Sequence, residues 1–349
     1  MIAPHDISVV VQGPCGPHLE ACLISVRQRL PQAEIVLATW ADSVVSPVVE
    51  RTADRILFVA DPGPVHFTQV AATPGFAWAD APTRNINRQI ASTRAGLQAA
   101  QRSWALKLRS DLHLQGTGFL SAAAAGTGES DSKWRIGENR IVTTDVMSPD
   151  RTSMLHFAQD FAYFGRTADL RRLFSVPLVP VAAAATWTVA EQARHFAVYA
   201  EQYIWRNYVG RLVGAAHTHA WECSPASVNA CRRLFAANLV PLTLSGFGID
   251  LLKYPTWKTA FYQEKSANWC FRASTAEWKS WQTKQLEMPG DALAKAGVHT
   301  LYLEFIRSTF GELHFLHREI NCANNALWAA FQNWLAARGQ PLPPRAVAA

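Results

Sequence analysis

Four ionisable side chains stand at alternate positions of one short run, Trp104-Ala105-Leu106-Lys107-Leu108-Arg109-Ser110-Asp111-Leu112-His113-Leu114. Lys107, Arg109, Asp111 and His113 alternate with Leu106, Leu108, Leu112 and Leu114. The run therefore reads as one strand with an apolar face and an ionisable face. Two cations followed by an aspartate and a histidine suit a phosphate ester and a divalent metal. Strand periodicity places Asp111 and His113 on one face, about 7 Å apart along the backbone, close enough to converge on one ion. The alternative is an exposed edge strand with a solvated face, and this run alone leaves both readings open.

The elements that must position these residues follow from the pattern before them. Ile7-Ser8-Val9-Val10-Val11 is a continuous apolar run, as in a strand buried on both faces, and Gln12-Gly13-Pro14 ends it. Residues 18–30 carry Leu19, Leu23, Val26 and Leu30 at helical spacing, and Pro31 stops them. Residues 34–40 form a second strand, Ser43 or Ser46 caps a short helix through Arg51, and residues 55–60 form a third strand before the turn Asp61-Pro62-Gly63. Residues 64–82 read as irregular. A helix over residues 85–101, with Ile86, Ile90, Thr93 and Leu97 on one stripe, then feeds the run around Asp111. Alternating buried strands and helices predict a mostly parallel α/β sheet with right-handed crossovers. Ligands of such sheets bind outside the carboxyl ends of the strands. Gln12, Trp40, Asp42, Asp61 and Asp111 all fall there.

The rest of the chain predicts a loop over residues 115–131 and a strand over 140–145. A strand over 155–165 is broken by Gly165, and a helix follows over 167–174. Asp160 lies inside an apolar run, so it is either paired or functional. Residues 173–190 read as a Pro/Ala loop, 189–209 as a helix containing Glu201, 212–221 as a strand and 238–243 as another. Residues 247–257 form a loop with Lys253, and 301–316 and 325–338 form amphipathic helices.

Composition narrows the function classes. The chain has 349 residues, 49% of them hydrophobic and 17% charged, with a formal net charge of +6. That supports a large core in one α/β domain or one domain with an appendage. The mild positive charge suits an anionic substrate or membrane surface. No basic run with interleaved aromatics points to nucleic acid. The six cysteines form no Cys-x-x-Cys pair, which argues against a zinc site and for free thiols in a reducing, cytoplasmic setting. The first 22 residues lack the pattern of a signal peptide. Neither a Gly-x-Gly-x-x-Gly nor a Gly-Lys-Ser/Thr loop is present, so a nucleotide would be held by side chains and a metal.

Several stretches, in this order, resemble the WavE family of lipopolysaccharide-synthesis proteins, a family similar to GT-A nucleotide-sugar glycosyltransferases. They are residues 7–14, Ser25-Val26-Arg27, residues 31–40, Asp61-Pro62-Gly63, residues 87–93 and Lys107-Leu108-Arg109-Ser110-Asp111. Weaker matches are residues 160–165, Glu201-Gln202-Tyr203 and residues 238–253. The resemblance implies a GT-A, Rossmann-like sheet flanked by helices over residues 1–255, with a mostly helical C-terminal extension over 256–349. It implies a glycosyltransferase that moves a sugar from a nucleotide-sugar donor to a lipopolysaccharide or other surface-glycan acceptor, lipid-linked acceptors included. Work at the inner face of the membrane with peripheral contact would follow.

On that resemblance the fourth strand ends in the counterpart of an Asp-x-Asp motif, which holds manganese or magnesium against the donor diphosphate. Here the position reads Arg109-Ser110-Asp111-Leu112-His113, with one carboxylate and not two. The divalent metal then falls to Asp111 with His113, or Arg109 and Lys107 take its role. Gln12, Gly13, Trp40, Asp42, Asp61, Asn87, Arg88, Arg109, Ser110 and Lys253 become donor-binding residues. Glu201 or Asp160 becomes the base for the acceptor hydroxyl. The competing expectation is a nucleotide-sugar or carbohydrate-binding protein without catalysis. A metal-dependent nucleotidyltransferase or phosphohydrolase is a third reading, opposed by the lack of a dense carboxylate cluster.

Overall fold

The computed structural model describes residues 2–68, 83–125, 134–145, 147–148, 156–197, 199–213, 225–252, 333–334 and 336–337. A 3-10 turn at Pro4–Asp6 leads into β1 (Ile7–Gln12), α1 (Leu19–Arg29), β2 (Glu34–Trp40), α2 (Pro47–Thr52) and β3 (Arg55–Val59). The short β4 (Val65–His66) and β5 (Thr83–Arg84) precede α3 (Ile86–Ala99), β6 (Trp104–Arg109), β7 (Leu112–Leu114) and α4 (Gly118–Ala125). Then come β8 (Ile141–Thr144), β9 (Met147–Ser148), β10 (Phe157–Ala158) and β11 (Ala162–Arg166). The helices α5 (Thr167–Leu173), α6 (Val181–Ala184), α7 (Val189–Arg194), α8 (Ala200–Val213) and α9 (Pro225–Asn238) follow, and β12 (Leu239–Leu242), α10 (Leu244–Phe247) and β13 (Ile249–Leu251) complete the set.

Seven strands form one sheet in the order β12-β8-β11-β6-β1-β2-β3. Six run in one direction, and only β11 runs against its neighbours β6 and β8. This is the mostly parallel, helix-flanked sheet expected. Every residue of β1 is buried, which is why its apolar run is unbroken rather than alternating. Val10, Lys107 and Tyr163 form one row across β1, β6 and β11, and Val9, Leu106 and Phe164 form the adjacent row on the other face. The first row lies under α3 and α8, where Gly96 meets Val10 and Trp205 donates to the Tyr163 hydroxyl. The second is covered through Phe119 of α4, which packs tilted against Phe164 and stacks on Phe247 of α10.

Several expectations are corrected. Residues 104–114 are not one strand. The sheet strand ends at Arg109, Ser110 and Asp111 turn, and β7 pairs antiparallel with β13 instead. The break follows from the neighbours. β1 ends at Gln12, and the Ser110 N–H makes one last bond to the Gln12 carbonyl, after which Leu112 and Leu114 pack beneath α1. The expected loop over 115–131 contains α4, because an alanine run with a buried Phe119 favours helix. Gly165 lies inside β11, and the interruption in 155–165 falls at Gln159 to Phe161, where Asp160 turns to meet Lys107. The helix over 189–209 is two helices, parted near Phe196, whose φ of 55° no α-helix accepts. Residues 212–213 belong to α8, and 247–252 hold β13 rather than a loop. Lys253, residues 214–221 and 69–82, and nearly all of the C-terminal extension lie outside the described residues.

Gly96 sets the distance between α3 and the sheet. A Cβ there would lie 2.3 Å from Val10 Cγ1 and 3.4 Å from Ala38 Cβ. Gly96→Ala is expected to destabilise by about 1–2 kcal/mol, since overpacking outweighs the gain in helix propensity. A second change, Val10→Ala, should recover part of the loss. Urea unfolding midpoints of the two single variants and the pair check this.

Candidate active site

The carboxyl end of the sheet gathers the polar residues. β1 delivers Gln12, β2 Trp40, β6 Arg109 and β8 Asp145, while β11, running the other way, begins there and brings in Asp160. Gly13 leaves β1 with φ of 131°, and a Cβ on it would lie 2.6 Å from Ser110 Oγ. Only glycine lets the chain turn there against Ser110, whose hydroxyl donates to the Pro14 carbonyl at 3.1 Å. Gln12 Oε1 accepts from Ser92 Oγ at 2.8 Å, and the same hydroxyl lies 2.7 Å from the Arg88 carbonyl.

At the centre, Lys107 is 1% exposed and sits over the Tyr163 ring. Its ammonium donates to the Asp160 carbonyl and, at 3.2 Å, to Asp160 Oδ2. Arg109 reaches the other Asp160 oxygen from Nη1 at 3.3 Å. Its Nε and Nη2 close a two-toothed pair on Asp111 at 3.0 and 2.7 Å. Burial opposes the charge on Asp160, but the Lys107 and Arg109 charges prevail and hold its pKa below the ordinary range. Burial draws Lys107 down, against the pull of Asp160. Glu201, buried in the first turn of α8, is pushed up to about 8, chiefly by burial and then by the Asp160 charge, with Arg109 and Lys107 opposing.

A second arginine–aspartate pair lies at the same end. Arg88 Nε donates to both Asp61 oxygens at 2.8 and 3.1 Å, and the pair is about one third exposed. Hydrogen bonding from Arg88 holds the Asp61 carboxyl below the usual range. Asp61 also caps its own turn by accepting from the Gly63 N–H. Asp42 is exposed and contributes to the field that raises Arg88. The Asn87 amide is taken up structurally, donating to and accepting from the Val179 backbone at 2.9 and 2.7 Å.

The structure thus brings Lys107, Arg109, Asp111, Asp160 and Glu201 into one cluster and places Gln12, Gly13 and Ser110 at its edge. His113 lies on β7, past the turn at Ser110 and Asp111, paired opposite Asp250. Among the described residues no group of three or more His, Cys, Asp or Glu gathers that could hold a metal ion. The Asp111 oxygens carry Arg109 donors, so these residues do not make a divalent-metal site. Asp145, 5% exposed, escaped sequence reasoning. Its signal was there, since it closes the strand Ile141–Thr144 at the ligand end as Asp111 follows Arg109.

Comparison with known families decides the lineage. The profile of the WavE lipopolysaccharide synthesis family matches residues 7–314. The chain belongs to that family. No curated protein matches this WavE chain. Solved structures to which it is similar include S. aureus TarS, at 13% identity and a TM-score of 0.32, covering 93% of this chain and 52% of that one. This chain therefore spans about half the length of that TarS chain. S. aureus TarS 1-349 in complex with UDP-GlcNAc is similar at 13% identity and a TM-score of 0.30, covering 97% and 93% of the two chains. The galactosyltransferase LgtC with donor and acceptor sugar analogs is similar at 11% identity and a TM-score of 0.32, covering 80% and 98%. At such TM-scores these likenesses add nothing to the fold described above. Among the described residues of this WavE protein, no helix is long and apolar enough to cross a membrane.

The raised pKa of Glu201 makes stability pH-dependent. An acid whose folded pKa lies above its unfolded value of 4.5 stabilises fully below pH 4.5, and that contribution is lost as pH rises through about 8. Glu201→Gln should match the wild type near pH 5 and exceed it by roughly 2–4 kcal/mol above pH 9. Denaturant unfolding across pH 5–9.5 measures the difference.

Proposed function

We propose that this WavE protein transfers a sugar from a nucleotide-sugar donor to a lipopolysaccharide or related surface-glycan acceptor. The observation that carries the reading is the Lys107–Asp160–Arg109–Asp111 cluster, with Glu201 beside it, at the ligand-binding end of a mostly parallel sheet in a member of this family.

Transfer breaks the bond between the sugar C1 and the diphosphate oxygen. The electron pair stays on that oxygen, and a new bond forms from C1 to the acceptor oxygen, whose proton must leave. Gln12, the last residue of β1, and Asp42, just past β2, suit the base and ribose of the donor. Trp40 at the end of β2 offers a ring face, and Gly13 leaves room for close approach beside Ser110. Arg88 and Arg109 face the diphosphate charge, and Lys253 is a further candidate from the sequence. Asn87 supports this reading by fixing the start of α3 and not by touching the donor.

Of the two candidate bases, Asp160 is saturated by Lys107 and Arg109 and held acidic, so it positions those cations. Glu201 has the basicity to take the acceptor proton. A lipid-linked acceptor would bring the protein to the inner face of the membrane, where a net charge of +6 suits an anionic surface.

A panel of nucleotide sugars with lipopolysaccharide-core acceptors tests this. One donor should be consumed, with release of its nucleoside diphosphate. Turnover should rise as pH passes about 8, where the Glu201 carboxylate accumulates. Glu201→Gln should lower kcat by roughly 10²–10⁴ with little change in KM. Donor binding with no turnover in any pairing would favour the non-catalytic binding protein.

A further inference from the structure

Asp111, where the family resemblance places a divalent cation, already holds a cation of the chain's own. Both of its oxygens accept from Arg109, at 3.0 and 2.7 Å. Asp160 gives one oxygen to Arg109 and the other to Lys107. All four carboxylate oxygens of Asp111 and Asp160 therefore carry N–H donors. Its charges also cancel, two cations against two carboxylates, with Glu201 neutral below about pH 8. A divalent ion needs several oxygen ligands and an excess of negative charge, and here it would approach a fixed guanidinium and ammonium. His113 stands on β7, beyond the turn that ends β6, where it pairs opposite Asp250.

Exposure separates the two ion pairs. Lys107 and Asp160 are each 1% exposed, whereas Arg109 and Asp111 are each 18% exposed. The inner pair is a fixed support, and the outer pair reaches solvent, where an incoming anion can compete for the guanidinium. A planar guanidinium matches phosphate as it matches carboxylate, through two parallel N–H bonds.

We infer that Arg109 supplies the positive charge opposite the donor diphosphate, with Asp111 as its resident counter-ion, so that donor binding and transfer need no divalent metal. This rests on the glycosyltransferase reading above. On arrival of the donor, phosphate oxygens replace those of Asp111 on Arg109 while Asp160 keeps hold of Nη1. When the C1–oxygen bond breaks, the electron pair left on the diphosphate develops next to that guanidinium. Asp111 is then a positioning residue, and one that competes with the donor.

Titration calorimetry of the full chain with UDP, GDP, CDP and dTDP, in EDTA and in manganese, tests this. One nucleoside diphosphate should bind in EDTA with an affinity that manganese changes by less than about threefold. Asp111→Asn should bind it about two- to fivefold more tightly in EDTA, because the counter-ion is gone. Arg109→Gln should weaken binding at least about tenfold with no rescue by manganese, and Arg109→Lys should restore part of it. Unfolding midpoints establish that each variant is folded. Binding that requires manganese, or an Asp111→Asn variant that loses binding, overturns the inference and leaves the glycosyltransferase reading standing. Failure of every nucleoside diphosphate under both conditions overturns the donor reading and the inference with it.

Discussion

The ion pair between Lys107 and Asp160 is the constraint on which the ligand end of the sheet depends. Two charges at 1% exposure are costly to desolvate, and they persist only because each satisfies the other and Arg109 completes the set. Removing either partner would strand a buried charge, an effect of order 3–5 kcal/mol. The pair also ties β6 to the start of β11, the strand that runs against both of its neighbours. Tyr163, next to Lys107 in the same row, accepts from Trp205 on α8 and donates to the Ala158 carbonyl. The helix that carries Glu201 is thereby tied to the charged row whose field acts on Glu201, whose pKa is raised first by its burial.

Much of this was legible in the amino-acid sequence, where local pattern and tertiary demand agree. The unbroken apolar run of β1, the stripe on α3 and the serine cap before α2 each gave their element. The ligand end followed from strand direction, and with it the placement of Gln12, Asp61 and Asp111 beside it. What could not be read is set by partners distant in the chain. Nothing between Trp104 and Leu114 reveals that β7 leaves the main sheet, because its partner β13 lies about 135 residues away. Lys107 looked like a ligand-facing cation and is a core residue, since the carboxylate that neutralises it arrives 53 residues later. Asn87 looked like a donor contact, and its amide is spent on Val179.

The two arginine–aspartate pairs differ in kind although both are two-toothed. Arg88 and Asp61 are about one third exposed and joined only to each other, Asn85 and the turn at Gly63, so the pair is screened by water and easily opened. Arg109 and Asp111 are backed by the buried pair, so the guanidinium keeps one bond whichever anion takes the others. A preorganised cation of this sort loses little on reorganisation when negative charge builds up nearby.

The direction of β11 has a consequence for how such a protein diversifies. In a fully parallel sheet each strand begins at the end remote from the ligand, and the chain visits the ligand end only once per strand. Here β8 ends at the ligand end and β11 begins there, so the segment between Asp145 and Asp160 leaves that end and returns to it. Its described residues hold the small β9–β10 ladder, which pairs with no strand of the main sheet. Its length and composition can therefore change between lineages while both flanking carboxylates stay anchored.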